Sequence, residues 1–392
     1  MKIHVETYQA SLNKKYEELC GDKVKVTRSD DSCIVVLADG LGSGVKANIL
    51  ATLTSEILAT MLAEGASIED AVETITSTLP VCKERGVAYS TFIIAQIFYD
   101  GKVFLAEYDS PEVIWFRNRQ HLSIERQILE LSGKKVRIAH FEVEPDDCLV
   151  MFSDGIVHAG VGTILNFGWD SQEITQHIMQ THKYHDTAYD TTMHLLLAVN
   201  DLYQGLPGDD STVAVAKILK PKESIVMVGP PKNKEDDDMV CKRLMSATGK
   251  KIVCGGTTSQ VVARYLHEEI MIDDLLSFEG DVPPIARIRG IDLVTEGVLT
   301  LGKTLNYLKE CAKSNEYLRK FMEADQHDGA YLLALMLIRD CSAIRFMIGT
   351  ADNIAHASIN YSPISLDRKI RLVEKMGDAL KKLGKIVIIE KY

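Results

Sequence analysis

Three short acidic segments carry the chemistry available to this chain. Asp39 lies between the apolar run Cys33-Ile34-Val35-Val36-Leu37 and Gly40. Asp154 follows Cys148-Leu149-Val150-Met151-Phe152-Ser153 and precedes Gly155. Asp209 stands with Asp210 before Ser211-Thr212-Val213. A carboxylate at the end of a buried strand suits a hard divalent cation, because Mg²⁺ and Mn²⁺ prefer carboxylate, carbonyl and water oxygens. A glycine beside it lets a backbone carbonyl come close. Two such ions about 3.5–4 Å apart activate a water and clamp a phosphoryl group. Taken singly, each segment reads equally well as a turn, since Asp-Gly is common there. Three of them in this order, each next to an apolar strand, point to one shared centre. Asp31, which opens the strand ending at Asp39, lies on the same face by parity but at the other end.

The surrounding pattern supplies the elements. Residues 31–39 read as a strand. Apolar residues at helical spacing, from Val45, Ile49 and Leu50 to Met61 and Leu62, predict a helix over 45–64. Gly65 stops it, and Ser67-Ile68-Glu69-Asp70 opens a second helix with a capping-box pattern. Strands follow at 90–99, 102–108, 112–117, 120–130, 135–141 and 148–153, with Asp100-Gly101 as a hairpin turn. Helices are expected at 171–181 and 187–200, and a last strand at 211–219. Strands in hairpins and helices in pairs predict stacked antiparallel sheets flanked by helices, an α+β αββα sandwich.

Lys220-Pro221-Lys222-Glu223 marks a boundary, which gives domains at 1–219 and 220–392. Beyond it the pattern alternates. Strands are expected at 224–228, 251–254, 291–295, 343–348 and 385–389, with helices near 237–248, 259–269, 300–314, 329–340 and 367–383. That alternation predicts a three-layer α/β domain with a mostly parallel sheet.

Composition narrows the functional classes. The 392 residues suffice for two domains, and 46% hydrophobic with 25% charged residues is ordinary for a globular chain. A net charge of −11 argues against nucleic acid as a partner and against a polybasic membrane anchor. No run approaches eighteen consecutive apolar residues, so no membrane-spanning helix is expected. The first residues lack a signal-peptide core, and the eight scattered cysteines include no Cys-x-x-Cys pair. These features predict a cytoplasmic protein with reduced thiols. His177, His182, His185 and His194 lack a strong zinc spacing, and Asp236-Asp237-Asp238 reads as an acidic helix start.

Residues 1–219 resemble the metal-dependent protein phosphatase (PPM, protein phosphatase 2C-like) family, in its bacterial stage II sporulation protein E-like serine phosphatase branch. The resemblance rests on Ala38-Asp39-Gly40-Leu41-Gly42-Ser43-Gly44, Ser153-Asp154-Gly155-Ile156 and Asp209-Asp210-Ser211-Thr212-Val213, with Ser110-Pro111-Glu112 between strands. It implies two Mn²⁺ or Mg²⁺ ions, with Asp39 bridging them, the Gly40 carbonyl on one, and Asp154 and Asp209 on the other. It places Asp31, or Asp30 beside it, at the family's early acidic position. Asp210 occupies a place where the family is often not acidic. No arginine in Val26-Thr27-Arg28-Ser29-Asp30 matches the phosphate-binding arginine of the eukaryotic relatives. The implied reaction is hydrolysis of phosphoserine or phosphothreonine in a phosphoprotein of the anti-sigma-factor antagonist kind. The resemblance also makes the helices at 43–64 and 67–79 a regulatory element, and it allows a homodimer.

In the second half, small-residue loops follow the expected strands: Gly229-Pro230-Pro231, Gly255-Gly256-Thr257-Thr258-Ser259, Glu296-Gly297 and Gly349-Thr350-Ala351-Asp352-Asn353. In a parallel sheet they gather at one edge, where ligands bind. The segment 255–259 opens a helix whose free N–H groups suit a small anionic ligand, although it closes no Walker A or Gly-x-Gly-x-x-Gly pattern. The competing function is a non-catalytic sensor or scaffold that keeps the sandwich fold and binds a small ligand in its second domain. The three intact aspartates count against it.

Overall fold

Cys33, Val35 and Leu37 are buried on one side of their strand, and Ile34 and Val36 on the other. A strand apolar on both faces belongs between two layers, and this one organises the first part of the molecule. The computed structural model describes residues 3–78, 90–131, 133–162, 164–183, 185–272, 285–351 and 364–392. It forms two units, Met1–Lys220 and Pro221–Tyr392.

The first unit begins with β1 (His4–Leu12), β2 (Asp22–Arg28), β3 (Ser32–Gly40), α1 (Gly44–Ala63) and α2 (Ile68–Thr78). Next come β4 (Ser90–Phe98), β5 (Lys102–Tyr108), β6 (Ile114–Arg117), β7 (Gln120–Leu122), β8 (Gln127–Leu131) and β9 (Lys134–Glu142). It closes with β10 (Asp147–Phe152), α3 (Asp154–Val157), α4 (Ser171–Thr181), α5 (Ala188–Leu202) and β11 (Ser211–Leu219). The strands form two antiparallel sheets, in the orders β2-β3-β4-β5-β9-β8 and β1-β11-β10-β6-β7. Between the sheets Cys33, Val35 and Leu37 meet Leu149, Met151, Ala214 and Ala216. On the outer face of the first sheet, Ile34 and Val36 pack with Leu50, Leu58 and Leu62 of α1 and Val72 of α2. Helix α5 packs on β1 and β11. Its start is fixed by a capping box of Thr187 and Asp190, and that of α4 by one of Asp170 and Glu173. The result is the expected αββα layering.

Three local expectations change. Strands β1 and β2 were not anticipated. The expected strand at 120–130 divides into β7 and β8, which belong to different sheets. The chain crosses between them because Arg126 is pinned by Glu107 at 2.7 Å and by the Val113 carbonyl at 3.1 Å. Among the described residues α1 is the one helix long and apolar enough to span a membrane. In this fold nine of its residues, Leu50, Leu58 and Leu62 among them, are buried.

The second unit contains β12 (Glu223–Val228), α6 (Asp237–Met245), β13 (Lys251–Cys254), α7 (Gly256–Leu266), β14 (Met271–Ile272), β15 (Ala286–Arg287) and β16 (Leu293–Thr295). It continues with α8 (Val298–Lys313), α9 (Asn315–Glu323), α10 (Gly329–Arg339), β17 (Ala343–Ile348), α11 (Ile364–Lys382) and β18 (Ile386–Lys391). The sheet order is β14-β15-β16-β13-β12-β17-β18, parallel from β16 to β18. Val226, Ile252 and Phe346 pack with α8, α10 and α11, while Ile225, Met227 and Val253 pack with α6 and α7. Both faces are therefore covered. The two-residue antiparallel strands β14 and β15 and helix α9 were not expected. Of the loops singled out at the sheet edge, Asp352 and Asn353 lie outside the described residues.

Candidate metal centre

Asp22 and Asp39 are cross-strand partners in the β2–β3 register. On β3, Asp39 shares the face of Cys33, Val35 and Leu37. On β2, Asp22 shares the face of Val24 and Val26, which pack on that same inter-sheet core. The two carboxylates therefore close one end of the sandwich interior. Asp154 joins them from the first residue of α3, immediately beyond β10, and Asp209 from the loop before β11. The carboxyls of Asp39 and Asp154 are close enough to perturb each other's ionisation.

Two glycines allow this close assembly. A β-carbon on Gly40 would collide with the Ala47 backbone in the first turns of α1. One on Gly155 would collide with the Asp210 carbonyl. The backbone after each central aspartate is thus pressed against a neighbouring element.

The electrostatics are those of a negative cluster without enough positive charge. Burial pushes the Asp39 carboxyl up to about 9, and the charges of Asp22, Asp154 and Asp209 add to the rise. Burial also raises Asp22 to about 6, opposed by the Ser153 and Thr212 hydroxyls. Asp154 is raised by burial and then by Asp209. Facing them are Lys14, 3.2 Å from Asp209, and His158, 3.9 Å from Asp154. Asp22 Oδ1 is buried with no hydrogen-bond partner. Among the described residues no three acidic, histidine or cysteine groups are already drawn around a single point. An orphaned carboxylate oxygen among mutually repelling carboxylates nonetheless fits hard divalent cations, which supply the missing charge and prefer oxygen.

Asp210 has a different place. Its Oδ1 accepts from the Lys14 N–H at 3.0 Å and its Oδ2 from the Gly21 N–H at 2.9 Å. Both oxygens hold the loop that leads into Asp22. Asp31 is the correction. It is exposed at the far end of β3, about 26 Å from Asp39 at strand rise, and accepts from Ser29 Oγ at 2.6 Å. The strand pattern gives this end as well, its place among the ligands comes from the family resemblance alone, and Asp30 lies beside it. The residue that sequence reading missed is Asp22, whose signal was the alternation of Val24 and Val26 behind Gly21.

Other singled-out residues are structural here. Glu112 pairs with Arg126 at 3.4 Å and Arg137 at 3.7 Å around buried Glu107. Asp237 and Asp238 lie in the first turn of α6. His177, His182 and His194 line a small gap between α4 and α5.

Residues 29–219 match the family model for stage II sporulation protein E (SpoIIE). This segment belongs to the SpoIIE family. The matched residues of the SpoIIE-type unit include Asp39, Asp154 and Asp209 and begin after Asp22. Solved structures that align with this chain include the PP2C phosphatase domain with a regulatory fragment of SpoIIE from Bacillus subtilis, at 20% identity and a TM-score of 0.49. The alignment covers 56% of this chain and 65% of that one. The RsbU and RsbW domains of a Mycobacterium tuberculosis protein align at 13% identity and a TM-score of 0.46, over 62% of this chain and 68% of that one. RsbX in complex with magnesium aligns at 18% identity and a TM-score of 0.39, over 55% and 96%. No curated protein matches this sequence.

Proposed function

We propose that this chain is a divalent-cation-dependent phosphatase that hydrolyses phosphoserine or phosphothreonine in a regulatory phosphoprotein. The observation that carries this reading is the mutually repelling set Asp22, Asp39, Asp154 and Asp209 at one end of a SpoIIE-type sandwich, with Asp22 buried and its Oδ1 unpartnered. Asp22, Asp39, the Gly40 carbonyl, Asp154 and Asp209 are the groups that would hold Mn²⁺ or Mg²⁺. Bound there, two such ions supply the charge that activates a water and neutralises phosphoryl oxygens. The chain's own part is to keep the oxygens fixed. Ser153 Oγ holds Asp22, Asp210 holds Gly21, and the β3–β4 pairing holds Asp39. Fixed dipoles and charges of this kind need no reorganisation during reaction. We read the substrate as a phosphorylated protein of the anti-sigma-factor antagonist kind, and the second unit as a regulatory module that senses a small anionic ligand.

The test is turnover of a phosphoserine peptide by the full chain with Mn²⁺, repeated after chelation and with Asp39→Asn and Asp154→Asn. Loss of turnover in all three conditions supports the reading. Turnover that persists in the variants, or none from the wild type at any Mn²⁺ concentration, overturns it.

A further inference from the structure

Two helices of the second unit begin at the same sheet edge and share an unusual start. Helix α7 follows β13 with Gly255 as its N-cap, and α8 follows β16 with Gly297 as its N-cap. Neither N-cap offers a side-chain hydrogen bond. The first N–H groups of each helix lack intrahelical partners. The two starts abut, since a β-carbon on Gly297 would stand 3.7 Å from the Gly255 α-carbon. Gly255 itself has φ +112°, a conformation that ordinary side chains rarely adopt.

Three polar atoms around this junction have no partner. Thr258 and Thr300 both occupy the third helical position, and they are 1% and 0% exposed. The Oγ1 of each lacks a hydrogen bond. Thr258 Oγ1 is directed at the N-cap, 3.2 Å from where a Gly255 β-carbon would sit. Glu296 Oε2, on the residue before Gly297, is also buried and unpartnered. A buried hydroxyl or carboxylate without a partner is costly, and such atoms in a native protein call for an occupant. The set is mixed in kind. Helix N–H groups with the positive ends of two helix dipoles call for an anion. A carboxylate oxygen calls for a hydrogen-bond donor on the same molecule.

We propose that the abutting N-termini of α7 and α8 bind a phosphate monoester that also carries hydroxyl groups. The phosphate lies on the N–H groups of residues 256–258 and 298–300 with the Thr258 and Thr300 hydroxyls, and a ligand hydroxyl donates to Glu296. A carboxylate ligand suits the site less well, because two neighbouring helix N-termini favour the larger charge of a phosphate. The sheet order adds a geometric reason. The loops after parallel strands share one edge, where ligands of open α/β sheets bind. This inference rests on reading the second unit as ligand-sensing, and it names the place and the class of ligand.

The test uses the full chain with a chelator present, so that the metal centre of the first unit does not contribute. Thermal unfolding is followed with inorganic phosphate, ribose, ribose 5-phosphate and AMP, in the wild type and in Thr258→Val, Thr300→Val and Glu296→Gln. Stabilisation by ribose 5-phosphate or AMP beyond that by phosphate or ribose is expected, and the two arms separate a sugar phosphate from a nucleotide. Each Thr→Val variant is expected to raise the ligand-free midpoint, because it removes an orphaned hydroxyl, and to weaken binding about ten-fold. That opposite pair of effects is one that a misfolded variant does not give. Glu296→Gln is expected to remove the preference for the hydroxyl-bearing ester over phosphate. No shift with any phosphate compound overturns the proposal, as does a shift that Thr258→Val leaves intact. If a ligand of another class stabilises wild type and Thr258→Val alike, this site fails while the ligand-sensing reading stands.

Discussion

Ser153 Oγ donates to Asp22 Oδ2 at 2.7 Å and accepts from the Thr212 N–H at 2.9 Å. One hydroxyl thus ties the residue before Asp154 to the first residue of β2 and to the start of β11. Three elements that bring the acidic groups together meet at a single side chain that is 1% exposed. Ser153→Ala leaves the buried Thr212 N–H unpaired and removes one donor from the Asp22 carboxylate. A loss of about 1–3 kcal/mol is expected in urea unfolding, together with weaker Mn²⁺ stabilisation. A loss of stability with Mn²⁺ binding unchanged would show that this bond does not position Asp22.

Asp22→Asn and Asp39→Asn should move stability and cation binding in opposite directions. Above about pH 9, where both carboxyls are ionised, each removes one negative charge from a cluster whose members repel one another. The cation-free protein is expected to melt higher, by about 2–4 °C for each kcal/mol relieved. Stabilisation by added Mn²⁺ is expected to fall sharply, because less binding to the native state means less linkage. Scanning fluorimetry with and without Mn²⁺ reads both effects. A full Mn²⁺ response in either variant would remove that residue from the ligand set.

Asp31→Asn serves as the contrast. This carboxylate is exposed, with Ser29 and Ser32 holding it below its ordinary range, and it stands at the other end of β3. Mn²⁺ affinity and phosphopeptide turnover should equal those of the wild type. A ten-fold loss in either would restore Asp31 to the centre and refute its placement.

Gly155→Ala tests the close approach after Asp154. The new methyl would collide with the Asp210 carbonyl, and overpacking of this kind costs about 1–3 kcal/mol. Because Asp210 also holds Gly21, the displacement should reach Asp22 and lower Mn²⁺ affinity as well. Crystallography or a cation titration of the variant would show whether the two ends move together.

The histidines between α4 and α5 give the pH dependence. His182 is 6% exposed and lies edge-on to Phe116, while His177 lies against Trp169. Burial lowers both imidazoles, with Lys217 adding to the effect on His182 and His194 to that on His177. Asp186, 3.8 Å from His182, works the other way, and Arg119 adds to the lowering. A base lowered in the folded state takes its proton first in the unfolded chain. Stability is therefore retained above the ordinary imidazole value near 6.5 and lost as pH falls below it. Between pH 7.5 and 5.5 this contribution opposes that of Asp22, raised to about 6, so urea unfolding should give a stability that increases more on acidification in His177→Gln/His182→Gln than in the wild type. An equal slope in both proteins would assign it to other groups.

Asp39, Asp154 and Asp209 were readable because each adjoins an apolar strand, a local pattern. Asp22 was not, because β2 carries only two apolar residues, Val24 and Val26, between Lys23, Lys25 and Arg28, too few to mark a buried strand. Its partnership with Asp39 exists only once the hairpin forms. Asp31 was read at the far end of its strand, and only the family resemblance set it among the ligands, a position that the structure gives to Asp22 on the neighbouring strand. In the second unit the strand–helix alternation showed the parallel sheet. The unpartnered Thr258 and Thr300 hydroxyls arise from the meeting of two helices more than thirty residues apart in sequence, which no local pattern encodes.

Strand β3 lies second from the edge of its sheet, paired on both sides and covered on both faces. Its amide protons should therefore be among the last in the SpoIIE-type unit to exchange with solvent, at the cost of global opening. Asp154 and Asp209 come instead from a four-residue helix and a loop, which belong to the part that opens at lower cost. One side of the centre thus remains fixed in every state short of unfolding, and the other can loosen. Cation loss should register first as faster exchange around residues 154–158 and 209–210, with β3 unchanged.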